Sequence, residues 1–398
     1  MNKNLANAQS TPLRIPRTVW ALGFVSLFMD LSSELVHSLL PVFLVTTLGA
    51  SALTVGVIEG IAEATAMLVK IFSGAISDFI GRRKGLLLMG YGLAALSKPL
   101  FPLAQSVDVV FTARFLDRIG KGIRGAPRDA LVADVAPAEI RGACFGLRQS
   151  MDTVGAILGP VLAIVLMLWL GQIHLVLWFA VIPAVISVAL IVGGVNEPTD
   201  VAAERAFRSP IHWKVLREFS RGYWWVVIVG GLFTLARFSE AFLVLKAQQT
   251  GLTATWVPMV MVMVVMSLLY AVSAYPAGWL SDRISRTKLL CVGMGLLILA
   301  DLLLAQADSI MTMLAGVALW GLHMGFSQGI LATLIADTAP EHLRGTAFGL
   351  FNLISGVCLL IASVLAGALW ETSGSASTFI AGAVLAAAAL LLLVLRKP

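Results

Sequence analysis

Gly74-Ala75-Ile76-Ser77-Asp78-Phe79-Ile80-Gly81-Arg82-Arg83-Lys84 ends one long apolar run and precedes another. It returns about 204 positions later as Gly278-Trp279-Leu280-Ser281-Asp282-Arg283-Ile284-Ser285-Arg286-Thr287-Lys288. A second segment supports the first. Ala133-Asp134-Val135-Ala136-Pro137, with Arg141-Gly142 and Phe145-Gly146-Leu147, returns as Ala336-Asp337-Thr338-Ala339-Pro340, with Arg344-Gly345 and Phe348-Gly349-Leu350, at an offset of 203. Two separate matches whose spacings differ by one residue mark a tandem duplication. Parallel repeats of this size, each ending apolar runs, are a way of building a membrane transporter.

The composition agrees. Of 398 residues, 59% are hydrophobic and 13% charged, and the mean hydropathy is +0.91. A soluble domain of this length does not look like this. Apolar stretches of bilayer-spanning length follow one another with short breaks. They lack the alternation of strands, and a lipid-exposed chain must satisfy its backbone internally, so the expected fold is an all-α membrane protein. The start, Asn2 to Thr11, is polar and has no short apolar core with a small-residue cleavage site, so no cleaved signal peptide is expected.

Twelve spans are expected, near 19–46, 52–74, 85–104, 107–132, 142–170, 173–194, 223–248, 253–279, 288–306, 308–335, 345–370 and 375–395. The longest polar break, Asn196 to Arg221, separates two pseudo-symmetric six-helix bundles. The domain reading is therefore a tail over 1–18, a first bundle over 19–195, a central loop over 196–222 and a second bundle over 223–395. Lys and Arg collect in alternate breaks: Arg82/Arg83/Lys84, Arg141, the central cluster, Arg283/Arg286/Lys288 and Arg344. The breaks near Gly49, Ser106, Gly171, Gly251, Asp308 and Gly374 hold none. By the positive-inside rule, both termini and the central loop face the cytoplasm. The net charge of +6 is thus topological and does not suggest a nucleic-acid surface. Cys144, Cys291 and Cys358 stand alone in apolar runs and form no metal pattern.

A charge in hydrocarbon costs several kcal/mol unless it is paired or hydrated, so ionisable residues inside the spans are candidate functional groups. The first half is crowded with them: Asp30, Glu34 and His37 in span 1; Glu59, Glu63 and Lys70 in span 2; Arg114, Asp117, Arg118, Lys121, Arg124, Arg128 and Asp129 in span 4; Arg148 and Asp152 in span 5. The second half has Arg237, Glu240 and Lys246 in span 7, Asp301 in span 9 and His323 in span 10. At about 100° per residue, Arg114, Asp117, Lys121, Arg124 and Arg128 fall in a stripe roughly 80° wide. Such a stripe faces water or acidic partners, and Asp30/Glu34 and Glu59/Glu63, each four apart, can supply them. The bland alternative for each charge is an ion pair that fixes helix packing.

With these motifs the chain resembles a bacterial major facilitator superfamily transporter, and in particular proton-coupled drug and small-molecule efflux antiporters. Gly74-x-x-x-Asp78-x-x-Gly81-Arg82-Arg83-Lys84 resembles the signature between spans 2 and 3. The resemblance implies a conformational latch of Gly74, Asp78, Gly81, Arg82 and Arg83, its carboxylate facing a helix N-terminus. Asp282 and Arg286 are the second copy, with Ser285 replacing the glycine. Arg114-Phe115-Leu116-Asp117-Arg118-Ile119-Gly120-Lys121-Gly122 resembles the span-4 signature, whose Arg is implicated in proton transfer. Gly155-x-x-x-Gly159-Pro160 resembles the exporter motif of span 5, with Leu162-Ala163 where a Gly pair is usual. Span 11 has no matching Gly-Pro.

The resulting expectation is a secondary active transporter of the cell inner (cytoplasmic) membrane, working by alternating access and functional as a monomer. Its partners are a small-molecule substrate, protons and the bilayer, with no nucleic acid. No cofactor or bound metal is expected. No Gly-x-x-x-x-Gly-Lys-Ser/Thr occurs, so the chain itself is not expected to hydrolyse ATP. Asp30, Glu34, Glu59, Glu63 and Arg114 are the proton-coupling candidates. Asp117, Lys121, Arg124, Arg128, Arg237, Glu240 and His323 are the substrate-cavity candidates. Arg and Lys favour an anionic or zwitterionic substrate, whereas the carboxylates and the Met and aromatic lining (Phe24, Phe28, Phe233, Phe238, Met324, Phe326) favour an amphipathic drug. Efflux is the expected direction. The alternatives are export of a divalent metal through Asp30, Glu34, His37 and His323, uptake of an organic anion by proton symport, and a non-transporting sensor or membrane enzyme, for which no clustered catalytic set stands out.

Overall fold

The computed structural model describes residues 14–80, 82–137, 140–197, 215–249, 257–281, 283–340 and 343–395. Gly81, Asp282 and the side chain of Asp78, all assigned to the latch, lie outside the described residues, as do most of the tail and of the central loop. Among the described residues the chain is helical, with no strand.

The first half contains α1 (Arg17–Val42), continued by a π-helical turn over Phe43–Thr47, α2 (Ala52–Ile80), α3 (Lys84–Ser97), the short α4 (Leu100–Leu103), α5 (Val107–Val135), α6 (Arg141–Leu170), α7 (Ile173–Phe179) and α8 (Val181–Gly194). The second contains α9 (Arg221–Leu235), α10 (Ala241–Gln249), α11 (Val257–Ser281), α12 (Arg286–Ala305), α13 (Ile310–Thr338), α14 (Arg344–Ser373) and α15 (Ser375–Leu395). Among the described residues ten helices, counting α3–α4 and α7–α8 as one each, are long and apolar enough to cross a membrane. The 29-residue α5 is long enough but too charged to be counted with them.

Three expected spans are broken, two of them by proline. A proline ring clashes with the carbonyl four residues earlier. Pro102 therefore conflicts with Lys98, where α3 gives way to α4, and Pro183 with Phe179, where α7 gives way to α8. The third break, Ala236–Glu240 between α9 and α10, contains no proline. Ser363 Oγ accepts from the Ser239 N–H at 3.2 Å, and Ser239 Oγ accepts from the Ala241 N–H at 3.3 Å. Those contacts satisfy backbone groups that a continuous helix would have paired internally.

The repeat is legible in the coordinates. Gly171, at φ 67°, and Gly374, at φ 84°, stand 203 positions apart and end α6 and α14 in the left-handed region open to glycine. Arg83 Nε lies 2.6 Å from Asp134 Oδ2, and Arg286 pairs with Asp337 in the same way one repeat later. These pairs hold each half's basic loop to the end of α5 or α13. We call this the basic end of the molecule and the opposite one the neutral end.

The halves meet mainly where α2 packs on α14 and α6 on α11. The first seam is very close: a Cβ at Gly56 would lie 2.2 Å from the Ser363 carbonyl oxygen, and one at Gly367 would lie 2.6 Å from Leu53 Cα. Glycine on both sides is what lets these backbones touch. Within the first half, Gly155 and Gly159 do the same for α6 against α1, their Cβ positions falling 2.4 Å from the Leu27 oxygen and 2.8 Å from Glu34 Cβ. Gly120 and Gly122 bring α5 against α3 and α2.

At the neutral end an apolar core crosses between the halves. There one cluster joins apolar residues between Leu35 and Leu44 of α1 and its π-helical turn, with Val55, Ile58, Val110 and Met167, to Phe233, Phe242, Val260 and Met266. At the basic end Val19, Leu22, Leu131, Cys144 and Ile191 form a cluster within the first half, and Tyr223, Val227, Ile335 and Leu350 form another within the second. A cavity lies between the halves, sealed at the neutral end by the shared core.

Candidate functional site

The cavity has a volume of about 630 Å³, within the range of small-molecule sites. Its walls differ. The first half supplies Asp30, Glu34, His37, Glu59, Glu63, Lys70, Arg118, Lys121, Arg124, Arg128 and Asp152. The second supplies Arg237 and Glu240 among Phe238, Ser239, Ser267, Tyr270, Trp320, Gln328, Asn352 and Leu359.

Each charged side chain is aimed by helix register. On α5 the stripe from Arg114 to Arg128 faces α2 and the cavity together, because Gly122 lets α5 settle onto Ala66 and Val69 of α2. Arg114 Nη2 meets Glu59 Oε2 at 2.6 Å, with both side chains about 1% exposed. Arg118 Nη1 reaches Glu63 Oε1 at 3.2 Å. The four-residue spacing of Glu59 and Glu63 matches that of Arg114 and Arg118, so two ladders of opposite charge mesh. His37 joins them: its Nδ1 is 3.4 Å from Glu34 Oε2 and its Nε2 is 3.6 Å from Glu59 Oε2. The partly exposed Glu34 carboxylate is thereby linked through an imidazole to the buried Glu59–Arg114 pair.

A second network lies toward the basic end. Arg128 Nη1 donates to Ser26 Oγ at 3.0 Å and lies 3.4 Å from Asp152. Arg148 Nη1 reaches Asp152 Oδ2 at 2.5 Å. Arg124 instead stacks over the Tyr91 ring, 4.7 Å from its centroid.

The predicted site residues therefore divide. Asp30, Glu34, Glu59, Glu63, Lys121, Arg124, Arg128, Arg237 and Glu240 are brought to the cavity. Arg114 is buried just behind it. Asp117 is buried too, held by Lys98 Nζ at 2.8 Å, and Lys98 also donates to Ser33 Oγ at 3.0 Å. His323 stands apart from the cavity: it is fully buried, and its ring meets the edges of Trp320 and Phe233 with centroids 5.3 and 6.2 Å away. Asp30, Glu34, His37 and His323 thus do not converge, and among the described residues no group of three or more possible metal ligands forms. Gly155, Gly159 and Pro160 are buried in the α6–α1 contact. Gly74 of the latch faces Ala126.

Sequence reasoning passed over Lys98, whose only signal was a lysine before Pro99 inside an expected span. It also omitted Tyr270, Gln328 and Asn352, polar groups of ordinary apolar helices. Among the described residues the cavity-lining Asp30, Lys70, Lys121, Arg237 and Glu240 form no ion pair, and Lys70 and Lys121 are exposed to the cavity.

The family model described as Major Facilitator Superfamily matches residues 22–353 and 247–398. The uncharacterized MFS-type transporter MJ1317 of Methanocaldococcus jannaschii is 30% identical over 394 residues, 96% of each chain. Multidrug resistance protein MdtH of Photorhabdus laumondii is 26% identical over 362 residues, 89% of this chain and 84% of that one. Among solved structures the nucleoside transporter NupG has a TM-score of 0.80 at 11% identity, over 95% of this chain and 99% of that one, a likeness of fold alone.

Proposed function

The chain belongs to the Major Facilitator Superfamily, and from that premise we propose that it exports a small amphipathic molecule with an anionic or zwitterionic head in exchange for protons. The observation that carries this reading is the pair of unlike cavity walls. One presents Lys70 and Lys121 without ion-pair partners, and the other presents Phe238, Tyr270 and Trp320. A charged head fits against the lysines and Arg237, and an apolar body against the aromatic wall. Asp30 and Glu240, also unpaired, suit the cationic group of a zwitterion.

Proton coupling is assigned to the Glu34–His37–Glu59–Arg114 chain. A proton taken by Glu34 from the cavity can pass by way of His37 toward Glu59, and its arrival weakens the Glu59–Arg114 pair. Alternating access then consists of the two bundles, residues 19–195 and 223–395, rocking about the cavity. We read α5 and the broken α9–α10 as the eleventh and twelfth spans. Non-helical backbone at that depth is tolerable because it lines the cavity. The basic end, with both termini, is placed in the cytoplasm of an inner-membrane monomer, so the structure corresponds to an inward-open state. The latch role of Asp78 and Asp282 stays part of this proposal. Export is favoured by the Gly155/Gly159/Pro160 motif and by the resemblance to a multidrug resistance protein.

The test is a thermal-shift panel of organic acids, zwitterions, amphipathic cations and nickel, cobalt and manganese salts, followed by flux of each stabilising compound in proteoliposomes with and without a pH gradient. Stabilisation by acids or zwitterions, and flux accelerated by the gradient, are expected. Gradient-driven flux that survives in both Asp30→Asn and Glu34→Gln would remove span 1 from the coupling path.

A further inference from the structure

Asp301 in α12 is fully buried, and neither of its carboxyl oxygens has a hydrogen-bond partner among the described residues. An ionised carboxylate in such a place costs several kcal/mol or more, a cost relieved when the group is paired or neutral. Among the described residues no cation pairs with it. α12 packs on α13, α15 and, more lightly, α11. On α13 the ionisable groups are His323, facing Trp320 and Phe233, and Asp337, paired with Arg286. α15 has none. On α11, Tyr270 lines the cavity and Tyr275 is exposed. Arg286 and Lys288 of α12 lie more than three turns away at the basic end, and Arg237 and Glu240 of the neighbouring break line the cavity.

The repeat sharpens the contrast. Gly90 packs on Arg124 in the first half, and Gly293 packs on Ser327 one repeat later. That register sets Asp301 at the place of Lys98, Ala236 at that of Ser33 and Trp320 at that of Asp117. The first half fills this place with a lysine bonded to a hydroxyl and a carboxylate. The second puts an acid there and removes both partners. It also packs backbone closely against the acid: a Cβ at Gly382 would lie 2.6 Å from Asp301 Oδ2 and 3.2 Å from the Ala236 carbonyl oxygen, so only glycine fits between them. The carboxyl group therefore borders the start of the α9–α10 break, whose next residue, Arg237, faces the cavity.

We propose that Asp301 is a proton-binding site of the second half, protonated in this conformation and emptied when the α9–α10 break shifts. The bound form is the neutral acid. Release breaks its O–H bond, leaves the carboxylate and passes the proton to water admitted at the break, where Arg237, a residue of that break, can balance the charge. The site would give the second bundle its own response to protons, separate from the Glu34–His37–Glu59 chain. The transport role of the site rests on the proton-coupled reading above, whereas its occupancy does not.

Infrared spectroscopy of the full-length protein in lipid nanodiscs tests it with the proton as the only ligand. Wild-type protein carrying 13C-labelled aspartate should show, at neutral pH, a carboxylic-acid C=O band that bears the isotope shift and moves again in D2O. Asp301→Asn should lose it, and Asp301→Glu, which carries no label at that position, should return it without the isotope shift. A labelled neutral-acid band unchanged in both variants, or its absence from wild type, overturns the proposal. Should Asp301→Asn fail to fold, the Asp301→Glu comparison and the wild-type spectrum still decide. Loss of gradient-driven flux in every condition with the Asp301 band intact would instead refute coupled transport and leave the proton site standing.

Discussion

Arg83 with Asp134 and Arg286 with Asp337 are the same ion pair made twice, and Gly171 and Gly374 cap the same helix twice. In the middle of the membrane the likeness stops. Lys98, Asp117, Lys121 and Arg124 of the first half are answered one repeat later by Asp301, Trp320, Met324 and Ser327. Both halves need their loops tied and their backbones brought close, so those features persist in both. Nothing in the architecture requires both walls of the cavity to carry charge. The first half carries a network of ion pairs beside a few unpaired charges, and the second an aromatic surface with isolated ionisable groups. Buried charge is costly to break once paired and cheap to omit where it never formed.

Stability measurements on single variants can break or sharpen this contrast. Arg114→Ala should do the most harm, because it strands the buried Glu59 carboxylate; such removals cost about 3–5 kcal/mol. The midpoint of thermal unfolding in detergent should fall accordingly, and the double variant Arg114→Met with Glu59→Met should recover most of the loss. If the double variant is no better than the single, pairing is not what holds this wall together. Gly159→Val comes next, at about 1–3 kcal/mol, since its Cβ would press on Glu34 and the branched carbons add to that. The same melting experiment reads it, and a Gly159→Val protein as stable as the wild type would show that α6 can withdraw from α1 freely.

In the second half, His323→Leu should cost about 1 kcal/mol or less, because among the described residues neither ring nitrogen has a well-formed hydrogen bond to lose. A loss comparable to that of Arg114→Ala would mean that His323 is held by polar contacts after all and that the halves are more alike than their side chains indicate. Smallest is Lys121→Gln, a cavity-exposed lysine without an ion pair, expected to stay within about 0.5 kcal/mol of wild type. Its effect should appear instead as reduced thermal stabilisation by the organic acids of the panel, with stabilisation by amphipathic cations unchanged.

Much of this was open to reading along the chain. The duplication, the apolar runs, the charged stripe of α5 and the close-packing glycines of α6 are local patterns with fixed spacing. The stripe could be placed on one face of a helix before any partner was known. What escaped were features that depend on a second element. Lys98 looked like the end of an apolar run until Asp117 and Ser33 closed on it from α5 and α1. The α9–α10 break has no proline to announce it, and it is sustained by Ser363 of α14, more than a hundred residues away. His323 resembled a cavity ligand because a lone histidine in a helix shows its periodicity and conceals which neighbours cover it.

By itself the sequence determined the repeat, the helical membrane class and the concentration of charge in residues 30–152, because hydropathy, glycine spacing and helical period are properties of short segments. Only the tertiary structure decided which of those charges are paired, which face the cavity, and that Asp301 has no hydrogen-bond partner among the described residues. Pairing and burial depend on side chains from helices far apart in sequence, and they emerge only when the two halves and their helices are packed together.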